Sequence, residues 1–179
     1  DQKLRANSNH PALVVATIGT TFKGAIDPID GIQLKLKGRE IYLHLDAALF
    51  GGYLPHTQFA NELLHQTSRL KTDTANQRYD SIAVSCHKFF GFPSPAGLFI
   101  STQRNFEDFH VLFEQVHDPG YVLQVPSTIT CSRDSVKPAE FHFFSSKSAF
   151  ARQADHAKKM LDNADYLLTE MKNHFAHLN

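Results

Sequence analysis

Two kinds of apolar run alternate along the chain. "PALVVATIG" (11–19) is continuous, β-branched and closed by a glycine, which predicts a buried strand. "REIYLHLDAAL" (39–49) alternates through Ile41, Leu43 and Leu45 and ends near an acid, a second strand. "DSIAVSCHKF" (80–89) predicts a third, and "AGLFIST" (96–102), introduced by the Pro/Gly turn "GFPSPAG", a fourth. Elsewhere the apolar period lengthens to that of a helix. "TQFANELLHQTSRL" (57–70) has this spacing, and "RNFEDFHVLFEQV" (104–116) places Phe106, Phe109, Leu112 and Phe113 on one face. Pro138 to His177 is mostly helical, with "ARQADHAKKMLDNADYLLTEMKNHF" its best-defined stretch. Short strands that are apolar on both sides suit a sheet covered on both faces. Strands first and long helices last predict an α/β fold with a helical exit.

Composition narrows the function classes. A chain of 179 residues suffices for one core of ordinary domain size and is short for two. Eighteen basic residues balance eighteen acidic ones, so no nucleic-acid partner is expected. No apolar stretch approaches the ~20 residues of a membrane span, and no membrane partner is expected either. The polar start "DQKLRANSNH" lacks the basic-then-apolar layout of a signal peptide. Cys86 and Cys131 cannot build a disulfide framework and match no zinc spacing, so a cytoplasmic protein without a metal is expected. The histidines are scattered: His142, His156 and His174 read as surface or half-buried filler, and "HFAHLN" is not a metal site. The first predicted strand begins close to residue 1, and the last helix runs on without a cap or a return. The chain therefore reads as a fragment of a longer protein.

Four stretches can carry chemistry. "TIGTTFKGAID" (17–27) is rich in hydroxyls and glycine, as in a loop that brings backbone close to a ligand. "HLDAALFGG" (44–52) presents Asp46 at a strand end, and "SCHKFFG" presents Ser85, His87 and Lys88 at another. "TITCSRD" (128–134) offers Thr130, Ser132 and Arg133. Taken singly, Asp46 is a turn residue, Lys88 a solvated loop lysine, and Arg133 with Asp134 a surface ion pair worth under ~1 kcal/mol. Taken together, an acid and a lysine at separate strand ends, with hydroxyls and an imidazole beside the lysine, suit a single ligand. Open α/β sheets bind ligands outside the carboxyl ends of their strands.

"ATIGTTFKGAID", "HLDAALFGG", "SIAVSCHKFFGFPSPAGLFI" and "TITCSRD", in that order, resemble the core of the group II pyridoxal-phosphate-dependent amino-acid decarboxylases. The likeness is nearest to the bacterial histidine decarboxylases of this type, with glutamate and aromatic-amino-acid decarboxylases more distant. It spans roughly residues 11–150 and includes an Asp-Ala-Ala stretch 42 positions before the lysine (88 minus 46). The resemblance implies part of the large domain of the aspartate-aminotransferase-like, fold type I architecture, a mostly parallel sheet flanked by helices. Residues 1–150 would form the central part of that cofactor-binding domain, and 151–179 a helix leading toward a small C-terminal domain. It implies pyridoxal 5'-phosphate as cofactor, held by Lys88 as an internal aldimine. Lysine suits this because a desolvated amine near other cations loses its proton and becomes nucleophilic. Asp46 would keep the pyridine nitrogen protonated, and Ala48 would let the ring lie flat. Thr20 or Thr21, with Thr20 favoured, would approach the ring, and Ser85 and His87 the phosphate. Ser132 would approach the phosphate from a neighbouring subunit, which makes the expected assembly a homodimer with its active site at the interface. Tyr121, the tyrosine of "VHDPGYVLQV", would protonate Cα.

The activity so implied is decarboxylation of an L-amino acid, L-histidine to histamine and CO₂. The alternatives are another decarboxylase, an aminotransferase or lyase on the same fold, or an inactive subunit. Three departures bear on the choice: Cys86 and Cys131 stand where relatives usually carry glycine, and Phe50 where they carry a small residue. They are expected to touch the pocket walls and to bear on substrate choice. The ring-stacking side chain and the main phosphate loop of the family lie upstream of the region represented here.

Overall fold

In the computed structural model, residues 6–7, 9–60, 79–116 and 134–175 are described. Four strands form one sheet in the order β1 (Ala12–Thr17), β2 (Ile41–Asp46), β3 (Ser81–Ser85) and β4 (Gly97–Ser101). β1, β2 and β3 run parallel, with Thr17 beside Asp46 and Asp46 beside Ala83. β4 returns antiparallel to β3, pairing Ser85 with Gly97. This α/β sheet is thus mostly parallel, and the carboxyl ends of β1, β2 and β3 lie along one edge. The connection from β3 to β4 is a loop, as an antiparallel pair permits.

The strands form where the apolar runs predict them. Side chains alternate, so Val14 and Ala16 of β1, Leu43 and Leu45 of β2, and Ile82 and Val84 of β3 share one face and build the core. Helix α1 (Ile29–Lys35), which the pattern does not reveal, completes the crossover from β1 to β2 and inserts Ile29 and Ile32 under the sheet. Asp80 sets the start of β3: its N–H donates to Leu43 O at 2.8 Å, and its Oδ2 accepts the Leu43 N–H at 2.7 Å.

The opposite face departs from the two-sided covering expected of it. Leu13 is 72% exposed, Val15 57% and Phe99 66%. Between them His44 stacks on Phe99, ring centres 5.7 Å apart, and its Nδ1 lies 2.7 Å from the Ser81 hydroxyl. Asp46 and Ser85 share this face by register.

Helix α2 (Gln103–Val116) follows β4, as its amphipathic spacing predicts. The helical tail is broken once, into α3 (Lys137–Phe144) and α4 (Lys147–His174). Ser146 separates them, and its hydroxyl caps α4 by accepting the Ala149 N–H at 3.2 Å. α4 buries Ala149, Gln153 and Ala157, one face at four-residue spacing. That face meets the 3₁₀ turn Leu54–His56, where His56 and Phe150 have ring centres 4.3 Å apart. Among the described residues no helix is long and apolar enough to cross a membrane. The helix expected over 57–70 falls mostly outside the described residues.

His56 carries a pH signature. Burial pushes its imidazole below the ordinary value of 6.5, with the neighbouring Gln153 opposing that effect. The folded state therefore favours the neutral ring. Below about pH 6.5 the unfolded chain takes up a proton that folded His56 resists, so this contribution is present above that pH and fades as the pH falls through it. Thermal melts at pH 7.5 and 5.5 should show a smaller loss of Tm for His56→Phe than for the unsubstituted protein. Equal losses would remove His56 from the account.

Candidate active site

Three strand exits build the site. At the first, Ile18 is fully buried and its N–H donates to Asp46 O at 2.8 Å, so the chain leaves β1 pressed against the end of β2. Gly19 then turns with φ 92°, and the chain folds back so that the N–H groups of Gly19 and Thr20 donate to Ala25 O at 3.1 and 3.0 Å. Asp27 locks the return: its Oδ2 accepts the Thr17 N–H at 2.7 Å, and its own N–H donates to Thr17 O at 2.9 Å. Within this loop Thr20 Oγ1 accepts the Ala25 N–H at 3.0 Å, so the hydroxyl proton is available to donate elsewhere. Thr20 is half-buried while Thr21 is exposed.

At the second exit Asp46 ends β2 with an exposed side chain. Its Oδ1 accepts the Ala48 N–H at 3.2 Å, a local turn that fixes the carboxylate and leaves Oδ2 without a partner among the described residues. The Ala47 N–H donates to Ala83 O at 3.0 Å, and the Ser85 N–H reaches Ala48 O at 3.4 Å. These bonds stitch the end of β2 to the end of β3.

The third exit carries the lysine. Ser85 is half-buried, and His87 and Lys88 are exposed on the turn that follows. The loop 86–96 is closed at its neck by the Cys86 N–H on Ala96 O at 2.9 Å. His87 Nδ1 lies 3.1 Å from the Ala96 N–H and 3.0 Å from the Ala96 carbonyl, so it is satisfied as acceptor or as donor. In either tautomer Nδ1 is committed to Ala96, and Nε2 is the nitrogen left for a ligand. Lys88 N–H reaches Ser85 O at 3.4 Å, and its carbonyl accepts the Gly91 N–H at 3.2 Å.

The second and third exits also meet through side chains. A Cβ at Gly52 would lie 2.9 Å from Phe89 Cβ, so only glycine lets the loop after Asp46 approach the residue next to Lys88 this closely. Tyr53 packs on Phe89 with ring centres 5.8 Å apart and on Phe50 at 5.1 Å. Phe50 in turn covers Gly19 and Gly24, where added Cβ atoms would lie 2.4 and 3.2 Å from its ring. These rings join all three exits and are invisible to motif reading, because they pair residues distant in sequence.

Two of the three departures find a place. Phe50 packs against the core and wedges the β1 exit loop. Cys86 is 1% exposed and does not form an accessible wall, and burial pushes its thiol up, so it stays protonated and unreactive near neutral pH. Cys131, Tyr121 and Ser132 lie outside the described residues. No group of three or more His, Cys, Asp or Glu that could hold a metal occurs among those described.

Thr20, Asp46, Ala48, Ser85, His87 and Lys88 therefore stand on three exits along one edge of the sheet. By chemical type, an amine, a carboxylate with a spare oxygen, a hydroxyl with a spare proton and an imidazole Nε2 are groups that would suit a phosphorylated pyridine aldehyde. The family profile of the pyridoxal-dependent decarboxylase conserved domain matches residues 2–175. The chain belongs to the pyridoxal-dependent decarboxylase family. Pyridoxal phosphate is the cofactor of this family. Relatives include serine decarboxylase 2 of Oryza sativa subsp. japonica, 33% identical over 174 residues, which cover 95% of this chain and 34% of that protein. Histidine decarboxylase of Morganella morganii is 37% identical over 134 residues, 72% of this chain and 31% of that protein. This member of the decarboxylase family thus spans about a third of the length of these relatives. Its fold matches that of L-methionine decarboxylase from Streptomyces sp.590, with a TM-score of 0.67 and 21% identity over 98% of this chain and 41% of that one. The architecture is that of the fold type I pyridoxal-phosphate enzymes.

Proposed function

We propose that this chain carries the cofactor-holding edge of an L-amino-acid decarboxylase, with L-histidine as substrate and histamine and CO₂ as products. The observation that carries the reading is the junction of β2 and β3, where backbone bonds hold the exits bearing Asp46 and Lys88 side by side. The likeness to the Morganella morganii histidine decarboxylase supports the substrate. The rice serine decarboxylase supports L-serine as the second reading.

When bound, pyridoxal phosphate supplies an electron-withdrawing heterocycle that takes up the electron pair released as the carboxylate leaves. Lys88 would hold the cofactor at its aldehyde carbon through Nζ, as an amine that the substrate amine can replace. Asp46, fixed by the Ala48 N–H, would keep a proton on the cofactor's ring nitrogen. Ala48 offers a small surface against the ring. Thr20 would donate its hydroxyl proton toward the ring, while Ser85 and His87 Nε2 would bind the phosphate. The Cα–carboxylate bond breaks to release CO₂, and one proton is delivered to Cα from the Tyr121 hydroxyl, which regains it from water. Ser132 of the partner subunit would reach the same phosphate, which makes a homodimer the functional unit of this reading. Residues 151–179 lead toward the small domain, and the protein acts in the cytoplasm.

The test uses the native protein with pyridoxal phosphate. Borohydride should abolish a visible absorbance band and leave a mass label on Lys88. Labelled CO₂ should then be released from L-histidine at least about tenfold faster than from L-serine, L-glutamate or aromatic amino acids. A label on another lysine would overturn the site, faster release from L-serine the substrate, and keto acid without CO₂ the reaction.

A further inference from the structure

The loop that carries Lys88 is held at its crown as well as at its neck. Its crown residue Ser94 lies six positions after Lys88 (94 minus 88) and is hydrogen-bonded by the Lys137 ammonium from the first residue of α3. Lys137 Nζ also donates to Glu140 Oε2 at 2.8 Å and lies 3.7 Å from Asp134 Oδ2. The Lys137 and Glu140 side chains are only 23% and 15% exposed. Beside this cluster Phe92 of the same loop stacks on Phe144 of α3, ring centres 5.0 Å apart. One helix thus grips the loop through a charged contact and an aromatic one.

A half-enclosed ammonium shared between two carboxylates and a hydroxyl is poorly explained as a surface ion pair. Ion pairs open to water contribute ~0–1 kcal/mol and tolerate many geometries. Here the carboxylates come from α3 and the turn before it, while the hydroxyl comes from the Lys88 loop, so the ammonium bridges two separate segments. Glu140 is the main cause that holds Lys137 above the ordinary lysine value, and Asp134 adds to it, so the bridge stays charged throughout the neutral range. Asp134 is itself fixed, its Oδ1 accepting the Val136 N–H at 2.9 Å. The bridge therefore has a fixed base at the start of α3 and, among the described residues, one outward contact, Ser94.

We infer that Lys137 is a positioning residue for Lys88, its ammonium clamping Ser94 and so setting where the 86–96 loop presents the reactive amine. The role of Lys88 rests on the function proposed above, whereas the clamp itself is a property of the loop and is measurable without cofactor. Loss of the clamp leaves the crown held by the Phe92–Phe144 contact and by the Phe92 N–H on Cys86 O at 3.1 Å, and lets the segment after Lys88 open locally.

Hydrogen exchange of the native protein without added cofactor gives the first readout. Lys137→Met and Ser94→Ala should each raise exchange across 89–96 by about tenfold, with β1 and β2 unchanged and Lys137→Arg restoring protection. With pyridoxal phosphate added, the pH midpoint of the visible band should move by about half a unit in Lys137→Met and return in Lys137→Arg. A merely structural residue would lower Tm without moving that midpoint. Ser94→Ala, which leaves the whole α3 cluster intact, serves if Lys137→Met does not fold. Unchanged exchange at 89–96, or a rise spread evenly over the sheet, overturns the clamp. Failure of borohydride to label Lys88 in the unsubstituted protein overturns the role given to Lys88, and the exchange result still decides the clamp.

Discussion

Lys88→Ala should lower decarboxylation by the native protein roughly 10³-fold or more while leaving its fold intact. The scale follows from the nucleophilic role proposed for Lys88, since positioned proton transfer alone typically contributes about 10²–10⁴-fold. The fold should survive because Lys88 is exposed and its main-chain bonds to Ser85 and Gly91 do not involve the side chain. Surface changes of this kind usually alter stability by ~0.5 kcal/mol or less. Lys88→Arg should be equally inactive, since guanidinium keeps the charge but does not condense with an aldehyde at neutral pH. Both variants should be colourless with pyridoxal phosphate. Activity within tenfold of the parent in either variant would take Lys88 out of the reaction.

The largest effect on stability is expected at Gly19. Its φ of 92° is a region L-residues avoid, and a Cβ there would lie 2.4 Å from Phe50 Cγ. The left-handed backbone costs about 1–2 kcal/mol for alanine, and overpacking typically adds about 1–3 kcal/mol. Gly19→Ala should therefore destabilise by about 2–5 kcal/mol, a fall in Tm of roughly 5–15 °C at this chain length. Phe50→Ala in the same protein should relieve the steric part and leave the backbone part. The double-mutant cycle should then show a coupling of about 1 kcal/mol or more. Denaturation placing Gly19→Ala within ~0.5 kcal/mol of the parent would mean the β1 exit loop is not wedged by Phe50.

These two positions differ in how visible they are before the fold is known. Lys88 stands out because a charged residue directly follows a strand-like run, and Asp46 for the same reason. The strand positions follow from continuous β-branched segments whose burial on one face reinforces their local preference. Helix α1 is hidden because "IDGIQLK" is short, contains a glycine and has two isoleucines, so neither propensity nor period singles it out. The value of Phe50 depends on two glycines about thirty residues upstream, and that of Lys137 on a serine 43 residues away. Such pairings form only when the sheet brings its exits together. The open face with Leu13, Val15 and Phe99 is a matter of what lies against the sheet, which the run of apolar residues within each strand does not specify.

The antiparallel return of β4 has a mechanical outcome. Residue 88 rides on a stirrup whose two legs are neighbouring strands, so its feet stay fixed while Ser85 pairs with Gly97, and its crown moves only as far as the contact at Ser94 lets it. With feet and crown both held, travel of the amine comes mainly from rotation about its own methylene stem. A graft of this segment onto a loop with free ends would keep every reactive atom and lose the fulcrum.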